Sequence, residues 1–232
     1  NRVVARWIPV SERGLANGII FAGVGVGAAI TAPIVTAVLS AHGWRSAFYV
    51  CSLIGLVAGL VWLWIGRDTP EAHPWISQSE REYVLKGMST AITSNQHLTW
   101  KVILKNRSVL ALTLSYATFG YAAYIFFSWF FIYLNTVRGL DLKASALYAM
   151  LPFIAMGVGS PLGGWIGDRL SRTMGRRRGR AIMAYGGLAF AALFIALGIG
   201  VESARLASFV LAGGAGALYL SLSSFWANTA DI

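Results

Sequence analysis

At 232 residues the chain is 56% hydrophobic and only 12% charged, with a formal net charge of +10. Its mean hydropathy is +0.63. A water-soluble domain carries charge on about a quarter of its residues, so these values exclude that class and indicate a chain that sits in lipid.

The sequence starts without an initiator Met and without a short apolar stretch behind a basic start, so no signal peptide is read and the chain is expected to be an internal piece of a longer protein. Six apolar runs follow: 15–39, 47–65, 109–134, 144–166, 181–201 and 206–227. Each covers the roughly 30 Å of a bilayer core at about 1.5 Å per residue. None holds Asp, Glu, Lys, Arg or His. One such charge at a helix centre costs about 2.5 to 3.5 kcal/mol, so their absence supports the spans and removes the usual markers of a proton relay. The expected fold class is an all-α membrane protein with six transmembrane helices.

The first run carries Gly23, Gly27 and Pro33, the second Gly55 and Gly59, and the fourth Gly159, Pro161, Gly163 and Gly167. Glycine every four residues clears one helix face for close contact in lipid, either as plain packing or as a sliding surface. The lone Cys51 in the second run reads as a small packing residue.

Between the second and third runs lies the only long hydrophilic segment, 67–108. Pro70 and Pro74 make its start turn-like. Ser77-Gln78-Ser79-Glu80 fits a capping box and predicts a short helix to Lys86. A second helix is expected over 98–105, with Trp100, Ile103 and Leu104 on the membrane and Lys101 and Lys105 turned outward, or as plain surface helix.

The third run places Tyr121, Tyr124, Ser128 and Asn135 along one helical face, with Tyr116 and Trp129 beside it. In the sixth run Ser221, Ser224 and Asn228 repeat the pattern, with Tyr219 nearby. Polar stripes at membrane depth face protein or water, so they line a substrate cavity or act as hydrogen-bond glue between helices. The fourth run ends in Gly163-Gly164-Trp165-Ile166-Gly167-Asp168-Arg169, followed by Gly175-Arg176-Arg177-Arg178. This acidic and basic cluster cannot enter hydrocarbon and marks a polar hinge at one membrane face.

Loop charges fix the orientation. All but four of the 19 Lys and Arg residues fall in alternate loops on one side, the exceptions being Arg45, Arg138, Lys143 and Arg205. The basic side is cytoplasmic by the positive-inside rule, which places both chain ends in the cytoplasm. The same distribution argues against nucleic acid as a partner, since that needs the charges on one folded surface with interleaved aromatics. His42, His73 and His97 lie in loops without metal-ligand spacing, and no span holds a catalytic base, so no metal, cofactor or enzymatic centre is read. The Gly-rich stretches carry no Lys-Ser/Thr and are not phosphate loops.

The run from Gly164 through Asp168 and Arg169 to Gly175, Arg176 and Arg177 resembles the loop signature of the major facilitator superfamily, stretched after Arg169 by Leu170 to Met174. Trp7-Ile8-Pro9, Glu12-Arg13-Gly14, Ala16-Asn17-Gly18, the Gly23/Gly27/Pro33 helix, His42 to Phe48, His73-Pro74, Ser77, Glu80 and Phe225-Trp226-Ala227 follow in order. Together they resemble the superfamily's anion:cation symporter branch of organic-anion and sugar-acid transporters. The resemblance implies a partial superfamily fold whose six spans are the fifth to tenth of twelve. Residues 1–66 are then the end of a first bundle, 67–108 the cytoplasmic inter-bundle loop and 109–232 the first four helices of a second bundle.

By the same resemblance, the third and sixth spans line the central cavity, with Tyr121, Tyr124, Ser128, Trp129, Asn135, Ser221, Ser224 and Asn228 as cavity residues. Gly23, Gly27, Pro33, Gly159 and Gly163 pack between the bundles. Gly164, Asp168, Arg169, Arg176 and Arg177 form a conformational latch, or else charge that only fixes topology. Phe131 stands where the family's seventh helix has proline. The implied function is secondary transport of a small organic anion, driven by proton symport, by a monomer in the bacterial inner membrane. The coupling carboxylates and the anion-binding arginine are expected in other helices. The rival readings are a membrane scaffold or a truncated, non-transporting protein, with an intramembrane enzyme more distant.

Overall fold

In a computed structural model that describes residues 2–88 and 105–229, each of the six apolar runs forms a helix long enough to cross a membrane. A short helix α1 (Arg2–Trp7) precedes α2 (Arg13–His42), α3 (Trp44–Ile65), the loop helix α4 (Gln78–Gly87), α5 (Arg107–Ser128), α6 (Leu142–Met174), α7 (Arg176–Gly200) and α8 (Ala204–Thr229). Two connections are single glycines in the left-handed region, Gly43 (φ +79°) between α2 and α3 and Gly175 (φ +83°) between α6 and α7. An L side chain there is strained, whereas glycine reverses the chain in one residue.

Two boundaries differ from the sequence reading. The fourth run extends as helix through Leu170 to Met174, so the predicted polar hinge is two further turns of α6, and the chain turns only at Gly175. The third run loses α-helical regularity at Trp129 (φ −112°) and continues through one turn at Phe130–Ile132 into a π turn at Tyr133–Val137. There Arg138 N donates to Tyr133 O at 3.1 Å. The departure needs no proline: the Asn135 amide donates to Leu140 O at 2.8 Å, and Arg138 Nη1 donates to Val201 O at 2.7 Å, so side chains stabilise the wider turn.

The core gathers between α5, α6, α7 and α8, around Phe119, Phe126, Leu134, Met156, Leu218 and Leu222. α6 is sandwiched. On one side Gly18 meets Ser160 O, where an added Cβ would sit at 2.6 Å, and Gly25 meets Gly157 N at the same distance, which ties α2 to α6. On the other side Gly159 faces Gly216 and Gly163 faces Leu220, which ties α6 to α8. Helices without side chains at the crossing approach closely and gain van der Waals contact that lipid would otherwise supply.

The residues expected to pack between the bundles fall on other faces than the α2–α6 crossing at Gly18 and Gly25. A Cβ added at Gly23 or Gly27 meets nothing within 4 Å, because at 3.6 residues per turn these two positions lie roughly 180° around the helix from Gly14, Gly18 and Gly25; Pro33 is exposed as well. Gly159 and Gly163 contact α8 rather than α2. α3 is exposed along almost its whole length, with Ala47 its buried residue, and Gly55, Gly59 and Cys51 lie in that open surface.

The predicted loop helix forms as α4, with Ser77 Oγ accepting from Glu80 N at 3.2 Å. It docks on the segment before α2: Tyr83 Oη donates to Glu12 Oε1 at 2.6 Å, Val84 is buried, and Gly87 lies against Pro9. Trp7 Nε1 donates to Arg67 O at 3.1 Å and its ring meets His73 edge-on. The second helix expected over 98–105 falls almost wholly outside the described residues.

Candidate functional site

The first amides of α2 have no intrahelical partner, and Glu12 at its N-cap position offers no side-chain cap among the described residues. Asp168, from the middle of the α6 sequence motif, supplies one from a different helix. Its Oδ1 accepts from Gly14 N at 3.1 Å and its Oδ2 from Leu15 N at 2.8 Å. Only 6% of Asp168 is exposed. Both oxygens are thus used on a helix N-terminus, where amide donors and the helix dipole favour an anion. Glycine at 14 is required by the approach: a Cβ there would stand 2.8 Å from Asp168 Cγ and 2.9 Å from Gly164 O.

Arginines surround the cap. Arg13 is buried and donates to Ala5 O at 3.0 Å. Arg172 reaches back to Ser11 O at 3.2 Å, so α6 holds the entry of α2 at two points. Arg180 is 3% exposed and donates to Ala227 O at 3.1 Å. Arg169 lies over the Trp165 ring at 5.7 Å and lines a polar recess with Glu12, Leu15, Asp168 and Arg172.

Of the predicted latch residues, the structure brings Gly164, Asp168 and Arg169 to this site. Arg176 and Arg177 are exposed instead. They occupy the first turn of α7, beyond the point where Gly179 presses against Ser171 N. Sequence reasoning passed over Gly14, Arg172 and Arg180. Arg172 stands four residues after Asp168 and would have been found had 167–174 been read as helix.

The polar stripe of α5 is placed opposite its buried face. Phe119, Ala123 and Phe126 pack inward, while Tyr121 is 76% and Tyr124 71% exposed, and Ser128 and Trp129 are exposed with them. Trp129 also borders an apolar cleft of about 430 Å³ with Tyr133, Ile195, Ile199 and Leu211. Asn135 leaves the stripe, since its amide is spent on Leu140 O within the turn.

The sixth-run serines do not share that surface. Ser221 is fully buried and donates to Leu218 O at 2.6 Å. Ser224 is buried beside Gly167, whose added Cβ would be 3.3 Å from its Oγ. The Ser221 hydroxyl returns to its own helix carbonyl and needs no aqueous neighbour, and Ser224 is buried at the contact with α6, so neither shares the open face that carries Tyr124. The Asn228 side chain lies outside the described residues.

Aromatic side chains occupy the junction of α2, α5 and α8. Phe21 and Trp226 have ring centroids 5.4 Å apart, and Tyr116 meets Trp226 and Phe225 edge-on, each at 6.0 Å. Leu112, Thr113, Tyr116, Phe225 and Trp226 line a cleft of about 200 Å³ there. Nothing in the spacing of Phe21 pointed to this role.

Residues 1–231 match the sequence model of the Major Facilitator Superfamily. The chain is 30% identical over its whole length to a probable anion transporter of Oryza sativa, named as chloroplastic, and covers 39% of that protein. It is 32% identical over 84% of its length to a probable sulfoacetate transporter of Cupriavidus necator, covering 45% of it. Over 73% of its length it is 27% identical to a probable L-galactonate transporter of Escherichia coli, covering 37%. The chain thus spans about two-fifths of the length of these relatives.

Proposed function

From the premise that this chain belongs to the major facilitator superfamily and is an integral membrane protein related to its anion and sugar-acid transporters, we propose that it forms the middle of a secondary transporter for a small organic anion. In this reading α2 and α3 close a first bundle, residues 67–108 are the inter-bundle loop on the cytoplasmic side, and α5 to α8 open a second bundle. The bundles rock about a midplane site in alternating access. The family's chemistry is passage across the bilayer rather than catalysis.

The observation that carries the reading is the cap on α2 by Asp168. A helix of one bundle is held by a carboxylate of the other through two hydrogen bonds and a dipole, with Arg172 as a second tie. Such contacts form and break as a unit, which makes a two-state element. Tyr121, Tyr124 and Ser128 present hydroxyls on the open face of α5, and the Phe21, Tyr116 and Trp226 rings close the junction beside it. The substrate's charge is balanced by groups on other helices, as are the protons that drive it, and the full protein works as a monomer in the bacterial inner membrane. The test is uptake of a panel of labelled sugar acids, aromatic acids and sulfonates by the full-length protein in sealed vesicles. Accumulation of one class that collapses with the proton gradient supports the proposal; no uptake of any acid above empty vesicles overturns it in favour of a scaffold.

A further inference from the structure

We propose that Arg138 is a positioning residue that fastens the last turns of α5 to the end of α7, so that during transport the two helix ends move as one body. The movement rests on the carrier reading; the fastening rests on hydrogen-bond geometry alone.

Arg138 follows the π turn of Tyr133–Val137, at the membrane face opposite Asp168. Its guanidinium reaches across to α7, whose last carbonyls have no intrahelical donor. Nη1 donates to Val201 O at 2.7 Å and Nη2 to Gly198 O at 3.2 Å. Nε turns back and donates to Tyr133 Oη, and the guanidinium carbon lies 5.3 Å from the centre of the Tyr133 ring. One planar fork thus holds the π turn and the C-terminus of α7 in a fixed relation, at a helix end where the dipole favours a cation.

Both sides of this joint are themselves anchored. Gly198 lies against α8, where an added Cβ would stand 2.5 Å from Leu211 Cδ2. Leu140 O, two residues after Arg138, accepts from the Asn135 amide at 2.8 Å and from the hydroxyl of the fully buried Ser145 at 3.2 Å. The Arg138 side chain therefore joins two pieces that are each held by further contacts.

Apolar packing does not duplicate the joint. Towards the bilayer centre the cleft of about 430 Å³ separates Ile125 and Trp129 of the third run from Ile195 and Ile199 of α7. Regular α-helix ends at Ser128, and the π turn follows within a few residues. Helices bend at such wider turns. Without the Arg138 bonds the end of α5 would swing across the cleft; with them it stays with α7.

The test places spin labels on Val137→Cys and Ile199→Cys, both exposed and both lining the cleft, in the full-length protein with its other cysteines replaced, in lipid nanodiscs. One narrow distance distribution is expected, the same with and without each acid of the uptake panel. In Arg138→Ala it becomes roughly twofold wider, because the end of α5 is released. Arg138→Lys supplies a point charge in place of the fork, gives an intermediate width and serves as the comparison if Arg138→Ala does not accumulate. Helix capping without fastening would lower the melting temperature and leave the width unchanged. Linking the two cysteines with a short bismaleimide should leave initial uptake at the rate of the unlinked protein. A mean distance that shifts when an acid is added, a width unaltered by replacing Arg138, or uptake that stops on linking would each overturn the inference. Absence of uptake before linking overturns the carrier reading and the movement with it, while the widths still decide the fastening.

Discussion

Replacing Asp168 by asparagine isolates the electrostatic part of the latch. The side chain keeps its shape, so the close contact between Gly14 and Gly164 is undisturbed. One oxygen becomes an amide that confronts a backbone donor, Leu15 N or Gly14 N, now 2.8 to 3.1 Å from an acceptor. Loss of one charge-assisted hydrogen bond costs about 1.5 to 3 kcal/mol, and loss of the charge at the α2 dipole about 0.3 to 1 kcal/mol for the first turn. Asparagine itself is a good cap and recovers part of this, so the net loss is about 2 kcal/mol. At tenfold per 1.4 kcal/mol, the docked state is disfavoured by about thirtyfold. The Asp168→Asn protein should therefore reach the membrane at the wild-type level and elute as a single species in detergent, yet transport more slowly. Initial uptake rate normalised to membrane protein is the readout. Undiminished uptake would mean that the cap is not a working part of the cycle.

Other outcomes follow from single contacts. In the 232-residue chain in detergent, Gly18→Leu and Gly25→Leu should lower the melting temperature through overpacking, about 1 to 3 kcal/mol each, whereas Gly23→Leu, which points into open space, should leave it unchanged. Arg138→Ala removes donors from Gly198 O and Val201 O at the end of α7 and should destabilise by about 1 to 3 kcal/mol, seen as an earlier thermal transition that Arg138→Lys recovers only in part. The Glu12 carboxylate accepts from Tyr83 and holds its phenol above the usual value of 10.0. Because the neutral phenol is the bonded form, this tie is complete below pH 10 and is lost as pH rises through the raised value; Tyr83→Phe should free α4 at neutral pH, read as faster trypsin cleavage at Arg81 and Lys86.

The spans were legible because burial in lipid imposes the same demand on every residue of a run: no charge and enough length. The α4 start was legible because a capping box is local. The glycine faces were not. Spacing by four marks a face without naming the neighbour, and α2 carries two such faces, Gly14/Gly18 and Gly23/Gly27, on opposite sides of one helix. The end of α6 was misplaced because Asp168, Arg169 and Arg172 look like loop charge. Helix there is stabilised by contacts that lie far away in sequence, the amides of α2 and the carbonyl of Ser11. Spacing alone could not tell that Ser221 bonds a carbonyl of its own helix, because a polar stripe has the same period whether its hydroxyls face water or their own backbone.

The central claim is that α2 and α6 are held together by a contact that opens during transport. Spin labels on the exposed positions 11 and 173, in the full-length protein in lipid nanodiscs, report that separation as a distance distribution. Two populations whose ratio shifts when a transported acid is added are what the account predicts. A single distance that stays fixed while the same preparation transports would contradict it.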